Sequence, residues 1–260
     1  MTRIFDALRK AQQSHGAGWL HRPSAVGTAP ATAVQPHRPA SPAPSVAGDV
    51  YRRSIVPFRV AVGLPADVAR EMASLRVSLE SALTERTPRA VMFLAAQGGE
   101  GTTTVAAQFV QSLAGDPRLR VLIVDVHARR PAYRSDGTAV LSPRGEVSSP
   151  AAGHADLLPL SEASRQDHLV LPETLSGILA AVGSGYDWIV LDGPSVLETP
   201  DAAPLGAVVD GILVVAQAGR TKRPVLARSV DLLRRSGGRV LGIVLNRRRL
   251  EIPEFIYRRI

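Results

Sequence analysis

Apolar residues along the chain follow two rhythms. Short unbroken runs at 91–96, 121–124, 188–191, 212–215 and 240–245 are rich in β-branched residues and read as buried strands. Between them, apolar residues recur at helical spacing. Val68, Met72, Leu75, Leu79 and Leu83 mark a helix over 66–83. Val105, Ala106, Phe109, Val110 and Leu113 mark a second, and Val225, Leu226, Val230, Leu232 and Leu233 form the expected buried side of a third over 221–235. A further helix is predicted over 173–182, begun after Pro172, and a short strand over 157–160. Residues 132–153 are weakly patterned and are expected to be a loop. Residues 202–219 are apolar but contain Asp210, Pro204 and three glycines, so they read as helix, turn and buried strand rather than a membrane span.

Strands alternating with helices predict an α/β fold, a mainly parallel sheet with helices on both faces. Ligands of such sheets bind at the carboxyl ends of the strands. Ahead of this domain, assigned to 57–260, the pattern changes. Over 1–13, Ile4, Phe5, Leu8 and Ala11 share one helical face, with Thr2 as N-cap, which suits an amphipathic docking helix. Residues 14–56 are rich in Pro, Ala, Ser and Gly and show no apolar period, so a disordered linker is expected there.

Composition narrows the picture. The formal net charge of +8 invites nucleic acid or an anionic membrane surface. The arginines, however, are spread along the chain with no aromatic residues interleaved as a stacking platform, which argues against nucleic acid. There is no cysteine, so thiolate catalysis, disulfides and cysteine-bound metals are excluded. The first ten residues lack the apolar core of a signal peptide, and a cytoplasmic location is expected.

The candidate chemistry centres on Gln97-Gly98-Gly99-Glu100-Gly101-Thr102-Thr103-Thr104, between the first strong strand and a helix. Backbone N–H groups and a helix N-terminus in this setting can cradle phosphate. A lysine that reaches the phosphates normally follows the last glycine of such a loop, and here Thr102 stands there. Three more polar residues end strands: Asp125, Asp192 and Asn246. With Thr103 as a Mg²⁺ ligand and Asp192 holding the metal's water shell, Asp125 can orient or deprotonate an attacking group. The alternative is that both aspartates merely cap helices that follow strands.

The segments 99–104, 124–131 (Val-Asp-Val-His-Ala-Arg-Arg-Pro), 186–194 (Tyr-Asp-Trp-Ile-Val-Leu-Asp-Gly-Pro) and 240–247 resemble the Walker A, A′ and B motifs and the final strand of the CpsD/CapB-type bacterial tyrosine autokinases. These are P-loop proteins of exopolysaccharide and capsule assembly, related to the MinD/ParA ATPases. The opening 3–10 is also similar to members that carry a tethered N-terminal segment. The resemblance implies ATP and Mg²⁺ as cofactors, nucleotide contacts at Gly98, Gly99, Gly101, Thr102, Thr103, Thr104, Arg129 and Asn246, and self-association. It also implies a membrane-spanning polysaccharide chain-length regulator as partner, which would hold the protein peripherally at the inner membrane through residues 1–13.

Four departures from the family pattern accompany the resemblance. Thr102 replaces the lysine, and neither of the two lysines, Lys10 and Lys222, is an evident substitute. His127 stands where a second aspartate of the A′ motif is usual; it can donate to phosphate or simply face solvent. Of the self-association motif only Arg76 fits, Arg70 and Ala73 filling its other places. The C-terminal tyrosine cluster is reduced to Tyr257, the one candidate phosphoacceptor there. The expected function is therefore a kinase-like ATP-binding protein with weakened or lost phosphotransfer, a pseudokinase. The rivals are an active autokinase or ATPase whose missing charge comes from a partner, or from His127 and Arg129, and a MinD/ParA-type positioning ATPase.

Overall fold

The computed structural model describes residues 51–58, 64–84, 86–127, 131–133, 154–160 and 170–248. The 1–13 helix, most of the linker, Arg129 and Tyr257 lie outside them. Seven strands form one sheet in the order β1-β4-β3-β5-β2-β6-β7. They are β1 (Val56–Pro57), β2 (Arg89–Ala95), β3 (Arg120–Asp125), β4 (His154–Pro159), β5 (Trp188–Ser195), β6 (Gly211–Gln217) and β7 (Val240–Asn246). All neighbouring pairs are parallel except β1 with β4, which is antiparallel.

Alternation along each strand divides the core in two. Val91, Phe93, Val121, Ile123, Trp188, Val190, Leu213 and Val215 face one side, together with residues of α1 (Ala66–Ala82) and α2 (Thr102–Ala114). Met92, Leu94, Leu122, Val124, Ile189, Leu191, Ile212 and Val214 face the other. That side is covered by α3 (Pro172–Val182), the short α4 (Ala202–Leu205) and α5 (Arg223–Arg235). Strands buried on both faces need apolar residues at every position, which is why they appear as unbroken runs. The expected doubly covered, mainly parallel sheet is therefore the fold observed.

Three details differ from expectation. Residues 51–56, assigned to the linker by composition, are part of the domain: Tyr51 and Ile55 pack on the core and the Arg52 guanidinium donates to the Ala181 carbonyl at 2.7 Å. Leu232, placed on the buried side of α5, is 40% exposed, while Ser229 is buried and its hydroxyl donates to the Val225 carbonyl. The amphipathic stripe is one position narrower than the apolar residues suggest, because a serine that satisfies its own hydroxyl on the helix backbone can be buried. Within the stretch expected to be a loop, Ala132 and Tyr133 enter the core and Tyr133 packs edge-on against Phe58, ring centroids 5.8 Å apart.

Candidate functional site

The sheet order places the ends of β3, β5 and β2 side by side, and the glycine loop follows β2. Its backbone demands glycine twice: Gly99 has φ +80° and Gly101 φ +88°, both in the left-handed region. Gly101 is the N-cap of α2, so the first-turn N–H groups of that helix point into the turn without intrahelical acceptors. Gly98, Gly99, Glu100, Gly101, Thr102 and Thr103 line a cleft of about 800 Å³. Its other walls include His127, Ala132, Gly193, Ser195 and Glu198. Thr104 is exposed on the next helical position and outside that lining.

The loop is braced from beneath by its own polar residues. Glu100 is only 2% exposed; its carboxylate accepts the Gln97 N–H at 2.9 Å and the Thr221 hydroxyl proton. Asn246, at the end of β7, donates from Nδ2 to the Glu100 carbonyl at 2.8 Å and accepts the Arg247 N–H at 2.8 Å. It thus holds the loop rather than facing the cleft. Arg247, itself at φ +53°, donates to the Gly99 carbonyl at 3.2 Å and to Gln217 Oε1 at 3.2 Å. Arg220 reaches the same Gln217 oxygen, 3.5 Å away. Two guanidinium groups therefore stand at the loop on the β6–β7 side, away from the cleft lined by β3 and β5.

The two aspartates are neighbours in register and both fully buried; Asp125 ends β3 as expected, whereas Asp192, expected to end its strand, lies within β5, which continues to Ser195. Neither caps a helix. Asp125 Oδ1 accepts the His127 N–H at 3.0 Å and lies 2.9 Å from His127 Nδ1. Asp125 Oδ2 accepts the N–H groups of Ala132 and Tyr133 at 2.8 and 3.3 Å. Its oxygens are thereby committed to the turn that follows β3. Asp192 is the reverse: both carboxylate oxygens are buried without a hydrogen-bond partner among the described residues.

Burial pushes the Asp192 carboxyl up to about 7, and the charge of Asp125 adds to this, although His127 and the nearby Thr103 and Tyr133 hydroxyls favour its ionised form. Burial lowers the His127 imidazole, but its hydrogen bond to Asp125 and the charges of Asp192 and Asp125 prevail and raise it. Tyr133, whose buried hydroxyl also lacks a partner among the described residues, is held well above its usual range by burial and by the charges of Asp192 and Asp125. Sequence reasoning missed Tyr133, Glu198 and Arg220, since none falls in a motif or a period; only their nearness to Arg130-Pro131, Asp192 and the end of β6 could have pointed to them.

A Mg²⁺ ion fits this donor set. The orphaned carboxylate of Asp192 calls for a cation or water donors, and hard cations of this kind take oxygen ligands while keeping several waters. The Thr103 hydroxyl would hold the ion and Asp192 its water shell. The place of the loop lysine is occupied by Thr102, 7% exposed, whose hydroxyl also has no partner among the described residues. Lys222, the only lysine among the described residues, is the N-cap of α5 and exposed. Arg76 of the self-association motif is engaged within its own chain, with Glu80 at 2.8 Å and Asp116 at 3.4 Å. Among the described residues no helix is long and apolar enough to cross a membrane.

No protein-family model matches the chain. Among its relatives are bacterial tyrosine-protein kinases and a succinoglycan biosynthesis transport protein. It is 24% identical to the tyrosine-protein kinase YwqD of Bacillus subtilis, over 70% of this chain and 82% of that protein. It is 26% identical to the succinoglycan biosynthesis transport protein ExoP of Rhizobium meliloti, over 73% of this chain but only 26% of the relative. Among solved structures, the kinase domain of Escherichia coli tyrosine kinase ETK superposes with a TM-score of 0.54 at 22% identity, covering 71% of this chain and 79% of that one, which establishes a shared P-loop fold.

Proposed function

We propose that this chain is a kinase-like nucleotide-binding protein of exopolysaccharide or capsule biosynthesis that regulates a membrane chain-length or export partner, with phosphotransfer weakened or lost. The observation that carries the reading is the coexistence of an intact cradle with an absent cation. Two left-handed glycines and a helix N-terminus line one cleft beside Gly193, with the buried Asp192 carboxylate directly behind it in the chain, while Thr102 contributes a neutral hydroxyl where a positive charge would stabilise a transferred phosphoryl group. The names of the relatives support the pathway, and ExoP is by name a transport protein of polysaccharide synthesis.

In this reading the loop N–H groups bind and orient the phosphates, and Thr103 and Asp192 hold Mg²⁺. That ion, when bound, neutralises phosphate charge. Asp125, with its oxygens spent on three backbone N–H groups and His127, positions the turn bearing His127 rather than taking a proton from an acceptor. Residues 1–13 dock to the membrane partner. Calorimetric titration of the full chain with Mg-ADP tests the binding half, and co-purification of the membrane partner with and without residues 1–13 tests the docking half. No heat with ADP, or undiminished recovery of the partner after the deletion, contradicts the corresponding half.

A second reading is favoured by Arg220 and Arg247 standing at the loop. Here the chain is an active autokinase in which these guanidinium groups, or a partner's, supply the missing charge. Covalent label on tyrosine after incubation with γ-labelled ATP distinguishes it.

A further inference from the structure

We propose that Glu198 is a specificity-determining residue that makes the cleft prefer a nucleoside diphosphate to the triphosphate. The inference rests on the nucleotide-binding reading above. Glu198 stands on the segment between β5 and α4, and its carboxylate reaches back onto the glycine loop. Its Oε1 accepts the Gly98 N–H at 2.8 Å, and its Oε2 accepts the hydroxyl proton of the buried Ser195 at 3.0 Å. The contact is close: a Cβ on Gly98 would come within 2.7 Å of Oε2.

The N–H groups of a glycine loop are the ones that receive phosphate oxygens. Glu198 therefore seats an anion of the chain's own on one of them, inside the cleft that the loop shares with His127, Gly193 and Ser195. Phosphates held on the first-turn amides of α2 and continuing along the loop would run from Thr103 and Thr102 toward Gly98, all of which line the same cleft. A diphosphate anchored at the helix leaves the Gly98 end to Glu198. A third phosphate extends into it, where two like charges meet at contact distance. The loop has no lysine to offset them, and Arg247 and Arg220 are spent on the other side, at the Gly99 carbonyl and Gln217. Triphosphate binding must then expel Glu198 into solvent and break two charge-assisted hydrogen bonds. Diphosphate binding need not.

Calorimetric titration of the full chain and of Glu198→Ala and Glu198→Gln with Mg-ADP and a non-hydrolysable Mg-triphosphate tests this. Glu198 is exposed, so neither change threatens the fold. The wild type should bind the diphosphate about ten-fold or more tightly than the triphosphate. Glu198→Ala should close that gap by tightening the triphosphate, with the diphosphate moving less than about two-fold; Glu198→Gln, which keeps an acceptor for Gly98 but no charge, should fall between. Equal affinities in the wild type, or a common shift of both nucleotides in the variants, overturns the proposal. Diphosphate binding by the wild type separately tests the reading beneath it: if neither nucleotide binds, that reading fails and this one with it.

Discussion

Asp125 and Asp192 are partners in register on adjacent parallel strands, both fully buried, yet Asp125 accepts three backbone N–H groups and Asp192 has no hydrogen-bond partner among the described residues. The pair divides two tasks: one carboxylate holds the turn, the other waits for a cation. Because the Asp192 carboxyl is raised to about 7 in the fold from about 4 when unfolded, its ionisation opposes folding. The penalty is absent below the unfolded value, grows as pH rises toward 7 and is complete above it. Asp192→Asn should therefore raise the thermal midpoint of the nucleotide-free chain by about 5–10 °C at pH 8, with the gain shrinking as pH falls toward 4. Thermal unfolding of both proteins across that range is the check.

Asp125 holds the turn after β3 through its hydrogen bonds. Asp125→Asn removes one acceptor oxygen from the turn and should cost about 1–3 kcal/mol, measured by denaturant unfolding. It should also lower the raised His127 pKa, visible in an NMR titration of the imidazole. A raised histidine stabilises the fold below its unfolded value and loses that contribution as pH rises through the folded one, so this part of the pH dependence should weaken in the variant.

Asn246 lies outside the cleft but donates to the Glu100 carbonyl. Asn246→Ala should cost about 1 kcal/mol of stability and weaken nucleotide binding several-fold by loosening the loop. Faster hydrogen exchange at Gly99 to Thr103, with no change at β3, identifies the cause as loop support.

Thr102→Lys places an ammonium on the loop where the hydroxyl now has no partner among the described residues. Triphosphate affinity should rise by roughly ten-fold, since a compact cation beside the terminal phosphates offsets charge that the backbone amides alone do not. Affinity equal to the wild type would show that Arg220 and Arg247 already supply it.

Much of this was legible in the sequence. Strands buried on both faces appeared as apolar runs, and the apolar runs of β3 and β5 led into the aspartates that the sheet sets side by side, although β5 itself continues to Ser195. What the residues did with those positions was not legible. Nothing local shows that Asp125 is spent on the amides of His127, Ala132 and Tyr133 while Asp192 is left bare; that depends on how the turn after β3 folds back. Glu198 and Arg220 lie in irregular segments, and their meeting with the glycine loop is created by the strand order rather than by any spacing along the chain. Leu232 misled because periodicity shows which residues are apolar, not which of two adjacent positions the neighbouring strand covers.

The central claim, binding without efficient transfer, is tested most directly by incubating the full chain with γ-labelled ATP and Mg²⁺, then separating protein from free nucleotide before and after denaturation. The account predicts label that travels with the native protein and is released as intact ATP when the chain unfolds. Label that stays on tyrosine after denaturation, and disappears in Asp125→Asn, would contradict it.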